Sequence, residues 1–114
     1  MPATIKEVVF QLDGAINHRF RLGIMSILLH HPTVEFNELK RLLGLTEGNL
    51  ASHLRGLEKI EYIAVHKQFV GRRPNTRYRL TNRGKKAFLR HQQALEQLVN
   101  ANRQAFQKLQ VSDE

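Results

Sequence analysis

The spacing of apolar residues changes twice along this chain, from helical to strand-like and back to helical. Apolar positions three and four apart predict amphipathic helices over residues 3–13, 18–30, 37–43, 47–60 and 82–109. Gly, Pro or Asn residues stand close to most of the predicted ends, as is typical of helix boundaries. The pattern therefore indicates a mainly helical protein with one β-rich interruption.

Alternating residues follow the fourth predicted helix. Ile63–Phe69 and Thr76–Leu80 alternate apolar and polar side chains, which predicts two strands. The Val70–Asn75 segment between them contains Gly, Pro and Asn, and we predict it as an open hairpin loop. A short extended piece is also expected at Val34–Phe36.

Two of the predicted helices are joined by a very short connection. Gly44 suits the left-handed position that ends a helix, and Thr46 suits the N-cap of the next one. Only Leu45 lies between them, and a helix, a tight turn and a second helix form a helix-turn-helix. Asn17 is the expected N-cap of the helix that begins at residue 18.

Together these elements predict a mainly helical α+β fold. A helix-turn-helix at 37–60 is followed by a β-hairpin wing at 62–80 and a long C-terminal helix at 82–109. The chain has 114 residues, of which 41% are hydrophobic, so we expect a single domain spanning 1–114 with a modest core.

The second helix of the helix-turn-helix has two contrasting faces. Leu50, Leu54 and Leu57 are spaced i, i+4, i+7 and should point into the core. The opposite face, which includes Gly56, is small, polar and basic and therefore suits a major groove. We expect base contacts from Gly48, Asn49, Ser52 and His53, and DNA-backbone contacts from Thr46, Arg55 and Lys59.

The predicted hairpin is strongly basic. Its tip holds Arg72 and Arg73, and an arginine there can enter a narrow minor groove, where the potential is most negative. Arg77 and Arg79 share the outward face of the second strand and can follow the DNA backbone. A solvated basic hairpin with no partner is the alternative.

The net charge of +8 is concentrated in one part of the chain. Residues 55–90 contain eleven Lys and Arg against only Glu58 and Glu61, whereas the remaining residues are close to neutral. A clustered positive field attracts polyanions such as nucleic acid. An anionic membrane is an alternative partner, but the basic stretch lacks the Trp/Phe/Leu-bearing amphipathic helix that would favour it.

Four segments match a known family in the correct order: Phe36–Lys40, Leu45–Arg55, Phe69–Pro74 and Tyr78–Gly84. With them, residues 12–90 resemble the winged helix DNA-binding domains of MarR/ArsR-type transcriptional regulators. The resemblance implies sequence-specific binding to duplex DNA as a homodimer, with a recognition helix at 46–60 and a wing at 69–77. One position departs from the family pattern, because Glu61 precedes Tyr62 where such families usually have Gly. A left-handed Glu61 would cost about 1–2 kcal/mol.

The helix over 82–109 carries a row of residues seven apart. Such a row predicts a coiled-coil-like seam between two copies of the chain, in which Asn102 fixes the register at some cost in stability. A helix that packs only on its own domain is the alternative. The expected dimer interface comprises Phe88, Leu95, Leu98, Val99, Asn102, Phe106 and Leu109, with His91 beside the first of them.

Several functions lack the residues they need. The absence of cysteine excludes disulfides, thiolate metal sites and thiol catalysis, so a cytoplasmic location is expected. The six histidines are not spaced as a metal site, and no carboxylate pair or nucleophile motif indicates an enzyme, so we expect neither metal nor cofactor. We also expect no signal peptide and no membrane span.

Other binding functions remain open. A winged helix can act as a protein- or RNA-interaction module, and a basic one as a non-specific architectural DNA-binding protein. RNA recognition requires exposed aromatic side chains for stacking, whereas the eight aromatics of this chain are expected mostly at inward positions. A small-molecule effector is conceivable, but no set of residues indicates one.

Overall fold

A computed structural model describes residues 4–112, which form five helices and three strands. Their order and the mainly helical α+β class, with a hairpin wing and a long last helix, confirm the predicted fold. Ala3, the first residue of the predicted helix 3–13, lies outside the described residues. The elements are α1 (Ile5–Gln11), α2 (Arg19–His30), β1 (Val34–Glu35), α3 (Phe36–Leu43), α4 (Glu47–Lys59), β2 (Ile63–Val70), β3 (Arg73–Leu80) and α5 (Asn82–Ser112).

A hydrophobic core joins the helices to the sheet. Helix α4 contributes Leu50, Leu54 and Leu57, which are almost completely buried, as predicted. They pack in one cluster with Ile24 of α2 and Leu39 of α3. Because burial of each such side chain contributes about 1.5–3 kcal/mol, one face of α4 is held firmly while its other face remains in solvent.

The sheet is built around β3, with β1 and β2 antiparallel on either side of it. Tyr78 and Leu80 of β3 are buried in the core. Arg77 and Arg79 therefore lie on the opposite face, because successive side chains alternate across a strand. The sheet thus carries an apolar inner face and a basic outer face.

The hairpin between β2 and β3 is tighter than predicted. The two strands stay paired as far as Val70 and Arg73, so the expected open loop over Val70–Asn75 is wrong. Gly71 takes the left-handed conformation (φ 64°), which allows a two-residue turn. The hairpin is consequently a long ladder that ends in a short turn.

The residues that end and begin the helices are mostly those predicted. Gly44 is left-handed (φ 63°), and Thr46 Oγ1 accepts a hydrogen bond from the Asn49 backbone N–H at 3.2 Å. The expected cap at Asn17 is wrong. His18 caps α2 instead, because its Nδ1 accepts from the Phe20 N–H at 3.2 Å.

The connection between α4 and β2 contains the unusual conformation that the sequence suggested. Glu61 has a φ of 63°, and it is the one non-glycine residue with a positive φ among residues 4–112. Its position is imposed by hydrogen bonds on both sides, from the Glu61 N–H to Glu58 O and from the Tyr62 N–H to Leu57 O. The left-handed residue therefore ends α4 and turns the chain into β2.

Replacing Glu61 with Gly should stabilise the protein. Glycine adopts this conformation without the steric cost that Glu61 bears, so Glu61→Gly should raise the free energy of unfolding by about 1 kcal/mol. Urea denaturation would measure the difference, and Glu61→Ala, which keeps the Cβ, is the control. A Gly variant no more stable than the Ala variant would contradict the expected strain.

Candidate nucleic-acid interface

The exposed face of α4 is polar and lies directly after the helix-turn-helix turn. Gly48, Asn49 and Ser52 are exposed, as are Arg55 and Lys59 further along the helix. Leu50, Leu54 and Leu57 anchor the other face in the core, so the exposed polar side chains lie on a helix that is held in place. Thr46 is also exposed, and its hydroxyl caps the helix.

His53 is placed differently from its neighbours on α4. It is only half exposed, because its ring lies 4.5 Å from the ring of His18 and close to Phe20 on α2. The Arg21 Nε donates to His53 Nδ1 at 3.1 Å. Burial lowers the pKa of His53, and the nearby His18 and Arg21 lower it further. A neutral ring keeps Nδ1 available as the acceptor, so His53 ties α4 to α2.

Gly56 does not belong to the exposed face, contrary to the prediction. It is partly buried, and a Cβ at this position would overlap the guanidinium of Arg21. The same guanidinium donates to the carbonyl of Ala15 at 3.2 Å. The glycine therefore makes room for an arginine that links α2, α4 and the segment before α2.

The hairpin arginines fall into two groups. Arg72, Arg73 and Arg79 are exposed, whereas Arg77 is partly buried. Its guanidinium donates to Glu35 and to Thr33, each at 3.0 Å, and its Nε donates to Asn75 at 3.2 Å. Pairing of β1 with β3 places Glu35 beside Arg77, so the predicted contact of Arg77 with DNA would compete with this ion pair.

A polar network continues from Arg77 along the outer face of the hairpin. Asn75 Oδ1 also accepts from Gln68 Nε2 at 3.4 Å, and Gln68 Oε1 lies 3.2 Å from the Nε2 of His66. These side chains bridge β2 and β3 outside the core. The network was missed from the sequence, because the alternation shows a shared face but not which residues lie opposite one another.

Three aromatic side chains are exposed, although inward positions were expected for most aromatics. Phe10 lies on α1, Phe69 near the hairpin tip and Phe106 on the distal part of α5. Phe69 is 75% exposed, and the adjacent Val70 is 59% exposed. The other five of the eight aromatics are buried or partly buried, as expected for most of them, so these three are the exceptions.

The first residues of the predicted dimer seam on α5 are buried in their own domain. Phe88 is only 1% exposed and belongs to the core of its own domain, so its assignment to the dimer interface is wrong. His91, beside it, is also buried, and its Nδ1 accepts from the Asp13 N–H at 2.9 Å. Burial lowers the pKa of His91, although the Asp13 carboxylate opposes that shift. The proximal third of α5 is thus a wall of the domain.

The distal part of α5 extends beyond the domain. Leu95 and Leu98 are half buried, and every residue from 99 to 110 is exposed. Val99 is 53% exposed and Phe106 is 63% exposed, with Asn102 on the same side of the helix between them. Leu109 is also largely exposed. At 1.5 Å per residue, about 18 Å of helix leaves the core carrying an apolar stripe.

Neither a metal site nor a membrane span is found in the part of the chain that the structure describes. Residues 4–112 contain no group of three or more His, Asp or Glu side chains placed to hold a metal ion. None of the described helices is both long and apolar enough to cross a bilayer.

Comparisons with known proteins agree with this architecture. A family model described as a winged helix DNA-binding domain matches residues 20–99. An uncharacterized protein of Methanocaldococcus jannaschii is 38% identical over 72 residues, which span 63% of this chain and 78% of that protein.

Solved structures with the same fold carry names of regulators. A transcriptional regulator homologue from Pyrococcus horikoshii aligns with a TM-score of 0.77 and 29% identity, covering 87% of this chain and 96% of that one. A putative MarR-family regulator from Enterococcus faecalis aligns with a TM-score of 0.65 and 27% identity, covering 93% and 91%. Both alignments cover most of this chain.

Proposed function

We propose that this chain, which belongs to the winged helix DNA-binding domain family, is a transcriptional regulator that binds specific duplex DNA sequences as a homodimer. The observation that carries the proposal is the exposed polar face of α4. It follows a helix-turn-helix turn directly and is anchored from behind by three buried leucines. A small, polar face on a rigid helix is what entry into a major groove requires.

The contacts divide by the position of each side chain. In this proposal Gly48, Asn49 and Ser52 approach base edges, because they are exposed near the start of α4. His53 and Arg77 act instead as positioning residues, since Arg21 holds the Nδ1 of His53, and Thr33 and Glu35 hold the guanidinium of Arg77. The contacts to phosphates and to the minor groove come from Thr46, Arg55, Lys59, Arg72, Arg73 and Arg79.

The proposed dimer is formed through the distal part of α5. A helix that leaves its domain with Val99 and Phe106 exposed gains stability by burying that stripe. Asn102 lies between them and would fix the register of the two copies. Ile5 and Val9 are exposed on α1, which packs against α5, and they add further apolar surface. The revised interface comprises Leu95, Leu98, Val99, Asn102, Phe106 and Leu109.

Selection from random duplex DNA at near-physiological salt tests the proposed function. A sequence-specific homodimer should enrich a palindrome whose half-sites lie about one helical turn, roughly 34 Å, apart. Binding without an enriched motif would instead indicate an architectural protein. Preference for RNA, or no binding to nucleic acid, would favour an interaction module and overturn the proposal.

Variants in α4 and in the wing should distinguish residues that contact bases from residues that contact the DNA backbone. Asn49→Ala should relax the preference at one base pair of each half-site, by about 1–3 kcal/mol, because a side-chain contact to a base is lost. Arg72→Ala/Arg73→Ala should weaken binding to all duplexes. It should lower the slope of log affinity against log salt by about two for each protomer bound, and so by about four for the proposed dimer. Fluorescence anisotropy across a salt series would measure both effects.

A charge-matched control is available outside the proposed interface. Lys6→Ala/Arg90→Ala removes the same charge from α1 and α5 and should leave the salt slope nearly unchanged. An equal fall in slope for both pairs would show that net charge, and not the wing, sets the salt dependence.

A further inference from the structure

We propose that Phe69 is an apolar wedge, which the hairpin tip inserts at a base step of the minor groove and which bends the bound duplex. The inference rests on the proposed DNA-binding function and adds a mode of DNA deformation to it. Its basis is an exposed aromatic side chain at the tip of a basic hairpin.

The hairpin carries Phe69 well beyond the core. Val65 and Tyr78 form the last cross-strand pair that packs against the core. Every β2 residue from 66 to 70 is exposed. At about 3.3 Å per residue, Phe69 stands about 13 Å beyond Val65. That reach is comparable to the distance between adjacent grooves, about half of a 34 Å helical turn.

The alternation of the strands fixes the side of the hairpin on which Phe69 lies. It shares a face with Ile63 and Val65, whose strand packs against α4. Its cross-strand partner is Pro74, so the two apolar residues stand together on the α4 side of the tip. In the proposed complex this pair faces the duplex that α4 enters.

The surroundings of the pair favour nucleic acid as its partner. Arg72 and Arg73 flank it, and Lys67 lies two residues earlier on the same face, so the tip is attracted to phosphates. Phe and Pro are among the side chains that unstack base steps in minor grooves and kink the duplex. Attraction between these basic side chains and the phosphates would therefore bring Phe69 and Pro74 to the minor groove.

Side-chain hydrogen bonds on the outer face of the hairpin link its two strands behind Phe69. The hydrogen bond between Gln68 and Asn75 joins β2 to β3 directly behind Phe69, and Arg77 ties Asn75 to β1 through Glu35. A side chain that separates stacked bases must be carried by a backbone that does not move away from the duplex. The network holds the long hairpin to the body of the domain.

DNA bending by the 114-residue chain tests the inference. The probe is a duplex of roughly 30 base pairs recovered by the selection, with a donor and an acceptor fluorophore at its ends. Wild-type protein should shorten the end-to-end distance. Phe69→Ala should abolish the bend and weaken binding about tenfold, whereas Phe69→Leu, which keeps an apolar wedge, should retain most of both.

The control variant is Val70→Ala, which removes an exposed apolar side chain from the opposite face of the same tip. It should bend DNA like the wild type. Bending that survives in Phe69→Ala, or wild-type binding without a bend, would overturn the wedge and leave the proposed function standing. Wild-type protein that binds no duplex would overturn the proposed function itself.

Discussion

Glutamates in place of Val99 and Phe106 are expected to convert the protein to a monomer and to lower its affinity for a palindromic duplex at least about a hundredfold. Both side chains lie on the exposed apolar stripe of α5, so in the proposed dimer each glutamate would be buried without a partner. In a dimer, binding of one protomer to its half-site holds the other protomer at high effective concentration near the second half-site. Two separate monomers lose that gain in affinity.

Light scattering after size-exclusion chromatography would measure the oligomeric state, and anisotropy the affinity for full sites and half-sites. Gln97→Glu/Gln104→Glu is the matched control, because it adds the same charge on the opposite side of the same helix. A Val99→Glu/Phe106→Glu protein that remained dimeric would place the interface elsewhere. Binding to half-sites should be unchanged, since α4 and the hairpin are untouched.

Replacing Gly84 with Ala should destabilise the protein by about 3 kcal/mol, close to the upper end of overpacking effects. Gly84 is buried in the first turn of α5, and a Cβ there would collide with the carbonyl of Tyr62. That carbonyl accepts from the Thr81 N–H at 3.1 Å, and Thr81 Oγ1 accepts from the Gly84 N–H at 2.9 Å. The carbonyl of Tyr62, just before β2, therefore cannot withdraw without losing its hydrogen bond to Thr81, the residue that caps α5.

Thermal unfolding at a fixed protein concentration would show the effect as a fall in Tm of about 10 °C. Gly14→Ala is the control, because a Cβ at Gly14 meets no atom within 4 Å and should change stability by less than about 0.5 kcal/mol. Equal Tm values for the two variants would mean that α5 can shift away from β2 at little cost.

The helix-turn-helix could be predicted because its signals are local. Gly44 favours the left-handed conformation that ends α3, and Thr46 favours the N-cap of α4. The spacing of Leu50, Leu54 and Leu57 determines which face of α4 is buried. Each of these features depends on residues within two turns of one another. The left-handed residue before Tyr62 was instead expected from the family resemblance, since such families usually have Gly at that position.

The remaining errors involve partners that are distant in sequence. Apolar residues seven apart on α5 look alike whether they contact their own domain or a second copy, so Phe88 was placed in the wrong interface. The ion pair of Arg77 joins residues 42 positions apart. The roles of Arg21 and His53 likewise depend on how α2 lies against α4, which no local pattern records.

Helix α5 is a single uninterrupted helix, held in the core at Phe88 and Ala94 and exposed from residue 99 onward. In the proposed dimer α5 is therefore a rigid arm that sets both the distance and the angle between the two copies of α4. Losing one residue between Ala94 and Val99 would rotate the stripe by about 100° and shorten the arm by about 1.5 Å. In the proposed dimer, the length of α5 and the side on which its apolar stripe lies would therefore determine which half-site spacing is bound. The bases contacted by α4 would determine the sequence of each half-site.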